Sequence, residues 1–280
     1  MSALDSLYNR NAAQWGPIYE AVKDILGDTG TILPIGDIRR GGQPNATTFT
    51  TTRRHASGVE AVFTWGTDAS PALFDTKLDL TDPANWQGII PFVTFNGTDE
   101  EADPPDATYW SRNDAAAEGF SVGAWVNIAA TAGAILAKYD TAVAVEWETL
   151  ITSSKWYMDI NDNSVPTGCS RITDATVAFN TWLFLVATYS GVGGASAGDG
   201  ITLYENGAVR ASTATNSGTY VAMENLTARV TLGHRYTATP TQFFNGKMAG
   251  GPLGPFFVQA ELSAAAVKRL YECGRDAMAL

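Results

Sequence analysis

Five carboxylates, Asp99, Glu100, Glu101, Asp103 and Asp106, fall within eight residues just after the turn-forming pair Asn96-Gly97. Acids at that density can pass protons across a scissile bond, hold a hard cation, or keep a loop in water. Two carboxyls acting on a glycosidic bond stand roughly 5 to 10 Å apart. On a strand that requires alternate positions, because successive side chains point to opposite faces. Glu101-Ala-Asp103-Pro-Pro105 begins such a series but has proline where the third acid belongs, and two prolines exclude a central strand. Glu146-Trp-Glu148 pairs two acids on one strand face without a third, and reads as a solvated face.

A cation is the next possibility. Asp99 is the candidate calcium ligand of the opening loop, with Asp103, Asp106 and backbone carbonyls as further hard oxygens. Asp159-Ile-Asn-Asp-Asn163 is a second oxygen-rich stretch, and it lacks the spacing and closing Glu of a calcium loop. A polar turn is the simpler reading of both, and no cofactor is expected. The imidazoles are His55 and His234, with no Gly-x-Ser-x-Gly elbow to build a nucleophile around and no phosphate-binding loop or dinucleotide fingerprint. No catalytic set emerges. Exposed aromatics would give a different chemistry, the stacking of sugar rings, and Trp110, Trp125, Trp147 and Trp156 are the candidate platforms.

The elements that must position these groups are mostly strands. Apolar residues make up 45% of the 280 positions, charged ones 17% and Trp, Tyr and Phe together 11%, enough for one large β core. Strand patterns recur at Val59–Trp65, Ile89–Phe95, Phe120–Ile128, Ala134–Tyr139, Ala144–Ile151, Lys155–Ile160, Thr181–Tyr189, Ile201–Glu205, Ala208–Thr213 and Arg229–Gly233. Phe120, Val122, Ala124, Val126 and Ile128 share one face, whereas Trp182–Tyr189 is apolar on both and suits a central strand covered on both sides. Asn206-Gly207 marks a hairpin with a two-residue primed turn. Ahead of the strands, residues 4–26 carry helical spacing interrupted at Gly16-Pro17, and Thr29–Gly58 reads as an extended arm. Behind them, residues 263–273 form a helix capped by Ser263 and stopped at Gly274, its apolar side packed on the sheet.

The ordered series Phe95-Asn-Gly-Thr-Asp99, Phe120-Ser-Val-Gly-Ala-Trp-Val126, Ile135-Leu-Ala-Lys-Tyr-Asp140, Trp182-Leu-Phe-Leu-Val-Ala-Thr-Tyr189, Ile201-Thr-Leu-Tyr-Glu-Asn-Gly207, Val230-Thr-Leu-Gly-His-Arg235, Phe244-Asn-Gly-Lys-Met248 and Leu262–Tyr271 resembles the laminin-G-like, concanavalin-A-like jelly-roll family. The resemblance covers about residues 89–274 and implies a mainly β fold, a two-sheet antiparallel jelly-roll sandwich. Around it stand short N-terminal helices, an extended arm and a C-terminal helix. The family holds sugar-binding, adhesion and assembly modules, so it fixes fold better than activity. After Met248 the chain runs Ala249-Gly-Gly-Pro-Leu-Gly-Pro255 where the family places acidic residues, which counts against a family-type calcium site.

Residues 1–58 are accordingly expected to attach or assemble, and 59–280 to be the jelly roll. A net charge of -11 without a basic cluster disfavours nucleic acid, and no stretch is long and apolar enough for a membrane span. Cys169 and Cys273 are too few for a disulfide framework. No cleaved export signal is expected. The resemblance, whose family includes domains carried on the surface of phage particles, implies together with these features a non-enzymatic structural or assembly protein of a bacteriophage virion, such as a capsid decoration or head/tail surface protein. It would be made in the host cytoplasm and joined to other virion subunits, and to copies of itself, through the N-terminal segment. The alternative is an extracellular or cell-surface carbohydrate-binding, lectin-like or adhesion module with surface glycans as partners.

Overall fold

The computed structural model describes residues 9–35, 37, 48–50, 52–53, 62–65, 82–103 and 106–280. His55, Pro105, the first turn of the expected N-terminal helix and most of the arm lie outside them. The described residues form two sheets face to face with a helical layer on one side.

The first sheet runs in the order Ala208–Val209 (β15), Ile201–Glu205 (β14), Trp182–Tyr189 (β13), Phe120–Ile128 (β8), Asn245–Ala249 (β20), Ile90–Asn96 (β6) and Trp86–Gln87 (β5). Phe256–Val258 (β21) also pairs with β8, and Gly30–Ile32 (β1) pairs with both β21 and Thr52–Arg53 (β3). The second sheet runs Ser212–Thr215 (β16), Thr167–Thr173 (β12), Lys155–Asp162 (β11), Ala144–Thr152 (β10), Gly133–Asp140 (β9), Val230–Leu232 (β17), Ala102–Asp103 (β7), Val62–Trp65 (β4) and Thr48–Thr50 (β2). The short hairpin Arg235–Tyr236 (β18) and Pro240–Thr241 (β19) attaches to β9 through the parallel pair Tyr236 and Asp140; the other pairings are antiparallel.

Side-chain alternation builds the sandwich. Phe120, Val122, Ala124, Val126 and Ile128 of β8 and Leu183, Leu185, Ala187 and Tyr189 of β13 face Trp147, Met158, Ile160 and Cys169 of the second sheet. Each large apolar side chain removed from water contributes roughly 1.5–3 kcal/mol before chain entropy is subtracted. The expected double-sided burial of β13 is found, because Phe184 and Val186 point the other way into a second apolar cluster. That cluster lies beneath two helices, Trp15–Leu26 (α1) and Ala264–Met278 (α2). Helix α1 buries Trp15, Tyr19, Val22 and Leu26, and the Trp15 indole donates to the Ile89 carbonyl at 2.9 Å. Residues 9–35 therefore rest on the first sheet of the same chain.

Two local expectations need correction. Gly274 does not stop the last helix, which runs on to Met278. Glycine is required there because an added Cβ would run into the Trp125 indole, which α2 crosses at close range. The ring of Tyr271, one turn earlier, stacks on Trp125 at 5.5 Å. Likewise Ala208–Thr213 is not one strand: β15 and β16 belong to different sheets, and the chain crosses between them at Arg210 and Ala211. The turn before it forms as expected, with Asn206 and Gly207 at φ of 53° and 79°.

Candidate functional site

The acidic run of the opening loop is dispersed by the fold. Asp99 is exposed and turned back on Asn96, whose Nδ2 donates to its Oδ1 at 2.8 Å, while Asn96 Oδ1 accepts from the amides of Thr98 and Asp99. Glu100 accepts from the Asn96 amide. These two acids close the turn after β6. Glu101 and Asp103 are buried, 3.4 and 3.6 Å from Nε2 of His234. Burial drives that imidazole down to about 3, so it is neutral at physiological pH. Asp106 goes to a third place, 2.7 Å from Lys138 Nζ. Among the described residues no group of three or more His, Cys, Asp or Glu is arranged to hold a metal. In the second oxygen-rich stretch, Asp162 is spent on structure: it accepts from the amides of Ser164, Val165, Val221 and Ala222 and from the Ser164 hydroxyl.

The tryptophans offered as sugar platforms lie inside. Trp110, Trp125, Trp147 and Trp156 are at most 2% exposed. Their faces meet other side chains, Trp147 stacking on Phe257 at 5.3 Å and Trp125 on Tyr271. Nε1 of Trp147 donates to the Trp110 carbonyl at 2.9 Å.

Glu146 and Glu148 are not a solvated face; they are 0% and 2% exposed. The register slips between Val145 and Trp147, and Glu146, at that irregularity, meets Lys138 at 2.9 Å. Lys138 is itself fully buried and also donates to the carbonyls of Leu226 and Ala228. Burial pushes Glu146 up to about 7 despite the ammonium. Glu148 lies beneath Arg235 of the β18–β19 hairpin, 3.0 Å from its Nη1.

This second carboxylate belongs to a patch the linear pattern does not show. Trp147 pairs with Ile160 in the core, so the next pair in register, Glu148 and Asp159, faces outward on the second sheet. Tyr157 and Asn161 flank Asp159 on β11, Ser170 stands opposite it on β12, and Tyr139 lies under the Arg235 guanidinium at 5.0 Å. All but Glu148 are half-buried. The Tyr157 hydroxyl approaches Asp159 Oδ2 at 3.4 Å. Glu148 Oε2, Asp159 Oδ1 and Arg235 Nε, each closed off from solvent, have no hydrogen-bond partner among the described residues. Burial, then the charge of Asp159, raises Glu148 to about 8; burial raises Asp159 to about 7 against the pull of Asn161, Arg235 and Tyr157. Burial, followed by Asp159, also pushes the Tyr157 hydroxyl up. Two carboxyls therefore share one guanidinium and hold a proton near neutrality. Between two tyrosines, the patch can donate and accept hydrogen bonds along a shallow polar surface. Its signal in sequence was the alternation of Tyr157, Asp159 and Asn161; the cross-strand and hairpin partners could be found only from the fold.

The two sheets thus differ in their outer faces, one apolar and roofed by helices, the other polar and bearing this patch. Such a two-layer antiparallel sandwich with a C-terminal helix on one sheet defines a lectin-like jelly-roll domain. The family model described as concanavalin A-like lectin/glucanases superfamily, of the laminin G type, matches residues 96–250, and the chain belongs to that superfamily. No curated protein matches it by sequence. Among solved structures it is similar to the botulinum neurotoxin serotype G binding domain, with a TM-score of 0.54 and 12% identity over 89% of this chain and 51% of that one. It is also similar to the serotype D ligand binding domain in complex with N-acetylneuraminic acid, with a TM-score of 0.52 and 14% identity over 90% and 52%. A third, from botulinum neurotoxin type C, whose cell entry is described as dependent upon interaction with two ganglioside molecules, has a TM-score of 0.52 and 14% identity over 92% and 53%. The chain spans about half the length of these chains, and at such identities the likeness is one of fold.

Proposed function

We propose that the chain is a non-enzymatic recognition module that binds a glycan on the outer face of its second sheet. The observation that carries this reading is the asymmetry of the sandwich: Tyr139 of β9, Tyr157, Asp159 and Asn161 of β11, Ser170 of β12 and Arg235 of the β18–β19 hairpin lie together, half-buried, on the outer face of the second sheet. Sugar hydroxyls supply donors and acceptors at the spacing such a surface needs, and tyrosine edges cover the apolar ring faces. The superfamily is lectin-like, and the similar toxin domains are described with a sialic acid and with gangliosides, which agrees with this choice. The non-enzymatic reading rests on Glu148, which lies too deep beneath Arg235 to reach a substrate proton.

The module is proposed to be displayed on a larger assembly, such as a virion surface. Residues 9–35 and α2 sit on the first sheet, opposite the patch, so attachment through the N-terminal side leaves the patch facing outward. A glycan array probed with the whole protein tests the binding reading: hits that disappear in Tyr157→Ala support it, and a blank array contradicts it. Glu20→Arg with Ala21→Arg on the exposed side of α1, which spares the buried Trp15, Tyr19 and Val22, tests attachment: assembly should fail, whereas a folded variant that still incorporates would rule out that role.

A further inference from the structure

We infer that the first sheet carries a separate binding surface, for a sugar bearing a carboxylate, at the margin of the helical roof. There Trp182 of β13, Asn127 of β8, Lys247 of β20 and Thr94 of β6 follow one another in register across adjacent strands. Two residues nearer the helices on the same face, Phe184, Trp125, Ala249 and Phe92 are all buried. The roof ends between these rows: Trp182, Asn127 and Lys247 are half-buried and Thr94 is exposed. Phe92 sets the geometry of the open row. Its ring centre lies 5.6 Å from that of the Trp182 indole and 4.5 Å from Lys247 Nζ. The indole and the ammonium, about 10 Å apart at the backbone across two strand spacings, therefore converge on one ring. Asn127 stands between them and makes no side-chain hydrogen bond among the described residues. Strands disfavour asparagine, whereas a carboxamide held there offers donors and an acceptor to sugar hydroxyls beside an indole that gives the ring an apolar surface to lie on. Charge narrows the class. Lys247 is the one charged member of its row and makes no ion pair among the described residues. The acids of the adjoining turn are already engaged, Asp99 by Nδ2 of Asn96 and Glu100 by the Asn96 amide. A carboxylate reaching Lys247 gains a charge-assisted hydrogen bond that a neutral sugar cannot make. This surface and the tyrosine patch lie on opposite outer faces of the sandwich, so each can act without the other.

Titration of isotope-labelled full-length protein, read at the Trp182 indole and Asn127 carboxamide resonances, tests this with three probes: trigalacturonate, its methyl ester and acetate. Trigalacturonate is expected to shift both resonances along one saturation curve and to bind about fivefold more tightly than the ester, as one partly exposed charge pair would give. Acetate, an anion without a ring, should be about tenfold weaker than trigalacturonate, because it forgoes the indole. Lys247→Gln should bring acid and ester within about twofold, and added salt should narrow the same gap in the unmodified protein. Tyr157→Ala, on the other sheet, should leave the three affinities unchanged. Silence of both resonances with trigalacturonate, equal affinity for acid and ester, acetate binding as tightly as the sugar, or loss of the shifts in Tyr157→Ala would overturn the inference. The shifts are read on the first sheet, so their failure leaves recognition on the second sheet standing, and the reverse holds as well. The comparison of the three probes on the unmodified protein decides the matter whether or not the variants fold.

Discussion

Replacing Glu148 by Gln should change how stability depends on pH, and the sign can be worked out. Glu148 and Asp159 have folded-state values raised to about 8 and about 7, above the ordinary 4.5 and 3.8, so the folded chain holds protons that the unfolded chain has lost. Their contribution is present at low pH and is lost as pH rises towards 8. Glu146, raised to about 7, acts in the same direction. His234 acts oppositely: its value falls to about 3, so the unfolded chain binds the extra proton and stability rises with pH up to about 6.5. Below that point the two effects offset one another; above it only the acids remain. One proton is equivalent to about 1.4 kcal/mol per pH unit, so the carboxyl pair should cost about 2 kcal/mol between pH 6.5 and pH 8, with Glu146 adding about 1 kcal/mol. Urea unfolding followed by tryptophan fluorescence at several pH values in that window measures this. In Glu148→Gln the larger part of the pair's share should vanish with the group that titrates at about 8, while the part that burial gives Asp159 remains. A flat stability curve in the unmodified protein, or an unchanged slope in the variant, would refute the shared-proton account.

Three further substitutions probe the framework. Asp114 is a buried carboxylate accepting from the hydroxyls of Tyr189 (2.5 Å) and Tyr220 (2.7 Å) and from the Met223 amide (2.6 Å); Asp114→Ala strands all three donors and should cost about 3–5 kcal/mol in chemical denaturation. Lys138→Met leaves Glu146 in the core without its cation, and its melting point should drop well below that of the double variant with Glu146→Leu, which removes both charges. Gly274→Ala forces α2 away from Trp125 and should cost about 1–3 kcal/mol, with a change in near-ultraviolet circular dichroism; a neutral result would mean that the helix does not pack so closely.

Much of the fold is legible in the sequence because strand alternation is local. Phe120–Ile128 and Trp182–Tyr189 carry their burial in their own pattern, and Asn206-Gly207 fixes a hairpin through backbone preference alone. Other features depend on what lies across the chain. Thr167–Thr173 carries no strand signal because its mixture of Gly, Ser, Arg and Thr has no apolar alternation, and its place is set by pairing with β11. Gly274 looks like a helix stop until Trp125 is seen beneath it. The candidate site was the least legible part. The acids of residues 99–106 attracted attention by density, yet the fold sends them to a turn, to His234 and to Lys138. Glu148 looked solvated because its counter-ion, Arg235, lies 87 residues away. The tryptophans were eligible as platforms by type, and the core of a large sandwich took all four.

Glycan recognition on the second sheet is tested most directly by mapping, on isotope-labelled protein, the amide and side-chain resonances that shift on addition of a bound sugar. The account predicts shifts concentrated at Tyr139, Tyr157, Asp159, Asn161, Ser170 and Arg235, saturating together and absent in Tyr157→Ala. Shifts confined to the helical face or to the loop tips around Val192 and Val221, with the second sheet silent, would contradict it.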